Sequence, residues 1–335
     1  MIRVKVAGSA LPELRLAVSP LWDTIGSLST LALGRASPWP YSDWCRVAER
    51  ALLRRQGAEL LAWTRRLGGP APAFLTPIPA GPDFGIEQET RQLLEQLSQL
   101  PEQTLAELAA SAAPWVRLDV SAWMRWLSDA ILDYWDAAMA PYWTAMHTAL
   151  QEDVLLRAHT LAGQGAGAVL STLDQRVRWT ASVLELPAAV PSGVVSCDER
   201  LVLVPLIFGR RMTRCVSNGA GRVAVSYQGR GTVVLSRPRP PASLAPDQPA
   251  RGDRLALLIG RGKAAVLRGL SVPSTTSDLA GALGMSASTV SQHLSTLLAA
   301  DVVRKRRMGV RVVYALEHAG LALLRHVDGD DAAPM

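Results

Sequence analysis

The chain has 335 residues, of which 49% are hydrophobic and 19% charged; this suffices for two domains with sizeable cores and excludes a disordered chain. No stretch approaches the ~18 uninterrupted apolar residues of a spanning helix, and the opening MIRVKVAGSALPELRL lacks an export signal's apolar core, so a cytoplasmic protein without membrane contact is expected. The formal charge of +6 is unevenly spread: residues 1–250 carry 24 Lys+Arg against 22 Asp+Glu, residues 251–316 carry 10 against 3, and residues 317–335 carry 1 against 4.

Three cysteines, Cys45, Cys197 and Cys215, are too few for a disulfide framework and fit a reducing compartment. Lys5, Lys263 and Lys305 are the only lysines; with abundant Ala and Gly this composition fits a GC-rich bacterial source.

In chain order, Ser19-Pro20 supplies an N-cap and a first-turn proline for a helix running to Leu33. Residues 41–67 carry apolar positions at mostly helical spacing and read as one long helical segment. After a Gly/Pro-rich break at 68–82, two helices are expected at 86–100 and 101–113. A long helical stretch follows at 121–156, interrupted or re-capped near Pro141. The Gly163-Gln164-Gly165-Ala166-Gly167 run follows no strand, so it reads as a helix break rather than a nucleotide loop. From about residue 178 the apolar period shifts to two. Strands are expected at 178–186, 201–208, 213–216, 222–227 and 232–235, with SNGAG at 217–221 as a hairpin turn. Residues 237–250, RPRPPASLAPDQPA, hold five prolines and no periodicity and read as an exposed linker.

The C-terminal part then opens with one amphipathic helix at 254–270, a short second helix at 277–283, a turn at Gly284-Met285-Ser286, and a third helix to about Ala300 capped by Ser286 or Ser288. Ala280, Gly284 and Val290 stand where a helix-turn-helix needs a small contact residue, a left-handed turn residue and a branched apolar plug. Leu279, Leu283, Leu294 and Leu297 complete the buried side. The opposite stripe of the third helix is short and polar, where a plain exposed face would favour better helix formers. Ser286, Ser288, Thr289, Ser291, Gln292, His293 and Ser295 are the candidate DNA-reading residues, because Gln pairs with adenine and hydroxyls reach base edges or phosphates. A β-hairpin over 302–316 places Arg304, Lys305, Arg306, Arg307 and Arg311 on a wing that would meet phosphates or the minor groove.

These elements predict an α+β chain. A mainly helical N-terminal domain with a small antiparallel sheet spans 1–236 and serves effector binding or dimerisation; the Pro-rich linker at 237–250, a winged helix-turn-helix at 251–327 and an acidic tail at 328–335 follow. Trp115, Trp123, Trp126, Trp135, Trp143 and Trp179 are candidates for the lining of a small-molecule pocket, against the alternative that they form plain core or a dimer interface.

The segment STTSDLAGALGMSASTVSQHLSTLLAADVVRKRRMGVRVVYALEHAG resembles the ArsR-type winged-helix regulators, with TVSQHLSTL as recognition-helix core and RKRRMGVRVVYAL as wing. More broadly, SPLWDTIGSL, RVRWTASVLEL and LVLVPLIF are similar to actinomycete regulators that place a long domain of unknown function before such a winged helix. The resemblance implies a homodimer on an imperfectly palindromic operator in double-stranded DNA, most often a repressor released by an effector. The family's Cys-x-Cys metal site falls on 277–283, which has no cysteine. His318, His326, Asp328 and Asp330 do not have the spacing of its other site. No metal or cofactor is therefore expected, and Cys197 and Cys215 read as buried thiols. No nucleophile elbow, metal-ligand cluster or phosphate loop points to an enzyme. The alternative reading is a drug- or metabolite-sequestering protein in which DNA binding is secondary.

Overall fold

The structure, a computed structural model, describes all residues except 7–12, 33–39, 68–70, 113–118, 174–176, 181, 188–192, 210–212, 237–253, 271–272, 284, 309–310 and 329–335. The expected Pro-rich linker and nearly all of the expected acidic tail lie outside the described residues. Two compact units form, one of residues 1–37 and 45–230, the other of residues 38–44 and 231–335.

The elements of the first unit run β1 (Ile2–Val6), β2 (Glu13–Leu16), α1 (Pro20–Ala32), α2 (Tyr41–Ala51, begun in the other unit), α3 (Gln56–Arg66), α4 (Ile86–Ser98), α5 (Glu102–Ala112) and α6 (Val120–Tyr134). They continue with α7 (Ala140–Gln164), α8 (Ala166–Ser171), β3 (Arg178–Thr180), β4 (Val183–Leu186), β5 (Gly193–Cys197), β6 (Arg200–Leu206), β7 (Cys215–Ser217) and β8 (Arg222–Gln228). The single helix expected at 41–67 is two, because the chain turns at Leu52–Arg55 with Arg54 at φ 65°. The interruption expected near Pro141 is a π-turn over Trp135–Met139. Proline has no N–H for the preceding turn and its ring crowds that turn's carbonyl, so the helix widens just before it. The glycine run at 163–167 is a helix break, with Gly165 between α7 and α8.

The fold class is α+β, yet the sheets are richer than the antiparallel one expected. One has order β3-β4-β1-β5, with β1 antiparallel to β4 and parallel to β5; the other has order β2-β6-β8-β7, with β6 parallel to both neighbours and β7 antiparallel to β8. The strand expected at 178–186 is a hairpin of β3 and β4, SNGAG does join β7 to β8, and Thr232–Ser236, expected as a strand, is a 3-10 turn. Leu201 and Leu203 of β6 pack with Val4, Leu184 and Leu186 of the first sheet, while Val202, Val204 and Leu206 face Trp22 of α1. With both faces covered, β6 reads as a continuous apolar run rather than an alternating one.

Helix α1 is buried along nearly its whole length and carries polar groups inward. The Ser19 Oγ accepts from the Trp22 N–H at 3.1 Å, as an N-cap should, and donates to Glu89 Oε2 at 2.8 Å; the Leu21 N–H donates to the same oxygen at 2.8 Å. One turn on, the Asp23 carboxylate accepts from the backbone N–H groups of Ile207 (3.2 Å) and Phe208 (3.0 Å), tying the helix to the end of β6. In the last turn, the Arg214 guanidinium donates to Ser29 Oγ and to the Ala71 carbonyl. The Arg214 guanidinium near the C-terminus of α1 complements the helix macrodipole, as do the two carboxyl groups near its N-terminus when ionised. Burial pushes Asp23 up to about 7 and Glu89 up to about 8, against the opposing pull of their hydrogen bonds, and brings Arg214 down to about 10.

The second unit contains α9 (Arg254–Ile259), α10 (Arg261–Gly269), α11 (Thr276–Leu283), α12 (Ala287–Ala299), β9 (Val303–Met308), β10 (Arg311–Leu316) and α13 (His318–Asp328). The one helix expected at 254–270 is split at Gly260, whose φ of 82° no helix accommodates. Its core is formed by Leu255, Ala264, Val266, Leu267, Leu279, Ala280, Leu283, Val290, Leu294, Leu297, Val303 and Leu316, so every apolar position assigned to the helix-turn-helix is buried; Gly284 lies outside the described residues.

Candidate nucleic-acid interface

Helix α11 starts on a reciprocal cap: the Thr275 Oγ1 accepts from the Asp278 N–H at 3.2 Å while Asp278 Oδ2 accepts from the Thr275 N–H and hydroxyl. Helix α12 starts on Ser286, whose Oγ accepts from the Thr289 N–H at 3.1 Å and lies within 2.8 Å of the hydroxyls of Ser288 and Thr289. Three hydroxyls are thus gathered at a helix N-terminus, the positive end of its dipole and a natural seat for a phosphate. Val290, Leu294 and Leu297 anchor one side of α12, leaving Ser288, Ser291, Gln292 and Ser295 exposed on the other, with Thr289 at the margin. Thr296 shares that exposed stripe one turn after Gln292; the i+4 spacing carried the signal that sequence reasoning missed. Ser295 and Thr296 donate to the carbonyls of Ser291 and Gln292, so their hydroxyls bond back to the helix.

His293 stands apart from the other candidates. It is half-buried and its ring lies against Gly262 of α10, so the structure does not bring it onto the exposed stripe.

The wing is a two-stranded antiparallel ladder in which Arg304, Lys305, Arg306 and Arg307 pair with Ala315, Tyr314, Val313 and Val312. All four cationic side chains are exposed, although Ser274 bridges the outer edge of β10 at Tyr314. Arg304 approaches Glu317 at 3.8 Å, a solvent-screened pair of little energetic weight. The backbone of Arg311 opens β10 opposite Met308; its side chain and the hairpin tip at 309–310 lie outside the described residues.

The tryptophans proposed to line a pocket are distributed over several places. Trp126 meets Trp63 edge-on at 6.1 Å and donates from its ring N–H to Glu59; Trp135 meets Trp143 at 5.1 Å, and Trp143 meets His147 at 5.6 Å. Trp123 is fully buried with no hydrogen-bond partner for its ring N–H among the described residues, Trp179 packs with the sheet-to-sheet core, and Trp115 lies outside the described residues. Cys197 and Cys215 are free thiols pushed up by burial, to about 11 and about 12, which disfavours the thiolate a metal or oxidant needs. Among the described residues no group of three or more His, Cys, Asp or Glu side chains is placed to hold a metal ion, and no helix is long and apolar enough to cross a membrane.

Comparisons with curated proteins and with solved structures find no match to the chain. Residues 270–305, from the end of α10 to the first strand of the wing, match the family model described as bacterial regulatory protein, arsR family. Over these residues the chain therefore carries an ArsR-type helix-turn-helix, the domain of a DNA-binding transcriptional regulator.

Proposed function

We propose that the protein is a homodimeric, sequence-specific repressor whose N-terminal unit responds to a small-molecule effector. The observation that carries the DNA-binding half is the conjunction of an uncharged donor–acceptor stripe on α12 with four exposed cationic side chains on β9. The cations contribute affinity without sequence preference, and the stripe, through Gln292 and the serines, reads base edges in the major groove. Self-association is supported by α9 and α13, which pack on each other and expose Leu257 (80%), Leu258 (66%) and Leu321 (40%), an apolar surface suited to a second copy. A two-fold protein calls for a palindromic site with half-sites about one helical turn apart. For effector binding the support is narrower, the aromatic cluster of Trp135, half-buried Trp143 and His147 in the first unit.

Fluorescence-anisotropy titration against the protein's own promoter DNA and a random duplex, at two salt concentrations, tests this reading. Promoter binding that is tighter than random and falls steeply with salt is expected; equal binding to both would remove sequence specificity. Sedimentation of the native chain beside Leu257→Glu with Leu258→Glu tests the dimer, which the substitutions should dissociate.

A further inference from the structure

Glycine has low helix propensity, and Gly262, the second residue of α10, has no positive φ that would require glycine. The space beside it is instead taken by the His293 ring, which would have to move for any larger residue. A Cβ built on Gly262 would lie 3.0 Å from His293 Cε1 and 3.1 Å from Cδ2, and closer still to Nε2. The tip of the imidazole therefore rests where a side chain would begin, and the backbone of α10 limits how near α12 can come.

His293 sits one turn after Thr289 and one turn before Leu297, directly after Gln292 on the same helix. Val290, Leu294 and Leu297 hold α12 to the core from one side, and the His293 ring supports it from the shoulder between that core and the exposed stripe. Two supports on different sides of a helix fix its rotation about its own axis as well as its distance from α10. That rotation decides whether Gln292 and Ser291 meet base edges at hydrogen-bonding distance, since a bidentate contact tolerates little misalignment.

We propose that His293 is a positioning residue for base reading: its ring, seated on Gly262, sets the height and rotation at which α12 presents Ser291, Gln292 and Ser295 to the groove. The inference rests on the DNA-reading function proposed above and gives His293 a role different from direct contact.

The test uses the full chain, a duplex selected by the native protein from a random-sequence pool, and an unselected duplex of equal length. Gly262→Ala should weaken binding to the selected duplex about tenfold and leave the unselected duplex within about twofold, because the wing is untouched. His293→Ala should cost less. The double variant should bind the selected duplex no worse than His293→Ala alone, since removing the ring makes room for the new methyl. Thermal unfolding of the same four proteins reads the steric pair without DNA and should show the same rescue. A Gly262→Ala protein that binds the selected duplex as the native chain does overturns the proposal, as does a double variant showing the sum of both losses. Rescue seen in melting alone, with selected-duplex affinity unchanged throughout, would make the pair ordinary packing and also overturn it. Failure of the native chain to select any duplex would instead remove the sequence-reading function itself.

Discussion

The two units place their polar chemistry in opposite ways. In the second, every described residue buried in α9 through α13 is apolar or glycine, and the hydroxyls, amides and cations stand outside. In the first, ionisable groups lie within: Asp23, Glu89, Asp153 and Arg214 are all buried. Asp153 illustrates the pattern. Its Oδ2 accepts from Tyr227 at 2.7 Å and Arg157 at 3.0 Å, while Oδ1 has, among the described residues, only Arg230, at 3.7 Å. A domain with a dry core and an outward polar face is built to meet a polyanion. One with charges inside uses them to orient its own elements, and its stability then depends on their protonation.

The largest expected effect probes the outward chemistry. Arg306→Glu with Arg307→Glu should weaken binding to any duplex by at least about 100-fold at moderate salt and flatten the slope of log affinity against log salt by about two or more. Anisotropy titrations at three salt concentrations would read this, and an unchanged slope would dissociate the wing from phosphate contact.

The inward chemistry is probed by pH. Asp23 and Glu89 hold protons more tightly when folded, at about 7 and about 8 against unfolded values near 3.8 and 4.5. Their contribution is therefore fully present below about pH 4 and is lost as pH rises through 7 to 8, on the order of a few kcal/mol. Urea unfolding followed by tryptophan emission, which arises wholly from residues 22–179, should show stability falling from pH 5 to 8. Glu89→Gln should flatten the upper part of that fall, because a single amide oxygen can accept from both Ser19 and Leu21 as Oε2 does. An unaltered pH profile would place the carboxylate's proton elsewhere.

A smaller effect separates the two parts of the outward surface. Gln292→Ala should reduce affinity for the selected duplex by about tenfold, the value of one lost base contact, and leave random duplex unchanged. Smallest of all, Ser286→Ala removes the α12 cap and should lower unfolding free energy by about 1 kcal/mol, read from the same denaturation curves.

The same contrast explains what the sequence made legible. A helix-turn-helix is written in neighbours three to four residues apart, so Ala280, Val290 and Leu294 could be assigned from spacing alone, and the cap narrowed to Ser286 or Ser288, of which the structure uses Ser286. The N-terminal unit is written across long separations. β1 finds its partners at 183–186 and 193–197, and β2 at 200–203, so neither short strand carries a local signal beyond four or five residues. The inward face of α1 was hidden for a related reason. Nothing local to Asp23 and Ser27 announces that they are buried, because Phe208 and Tyr134, which hydrogen-bond them, lie more than a hundred residues on. His293 was misplaced because helical spacing puts it beside Gln292, while the missing side chain that gives it its seat lies on another helix.

The pairing of the first strands with late ones also sets an order of events during synthesis. Strands β1 and β2 leave the ribosome long before their partners, and before the backbone N–H groups that Asp23 engages, which are not made until positions 183 to 208. Until then β1 and β2 present unpaired edges, and α1 has nothing to receive its carboxylate. A growing chain must therefore hold these strands open until residues 183–208 have emerged. Products truncated before residue 200 would carry exposed strands prone to aggregation, so quality control of the nascent chain matters more for the N-terminal unit than for the locally folding DNA-binding unit that follows it.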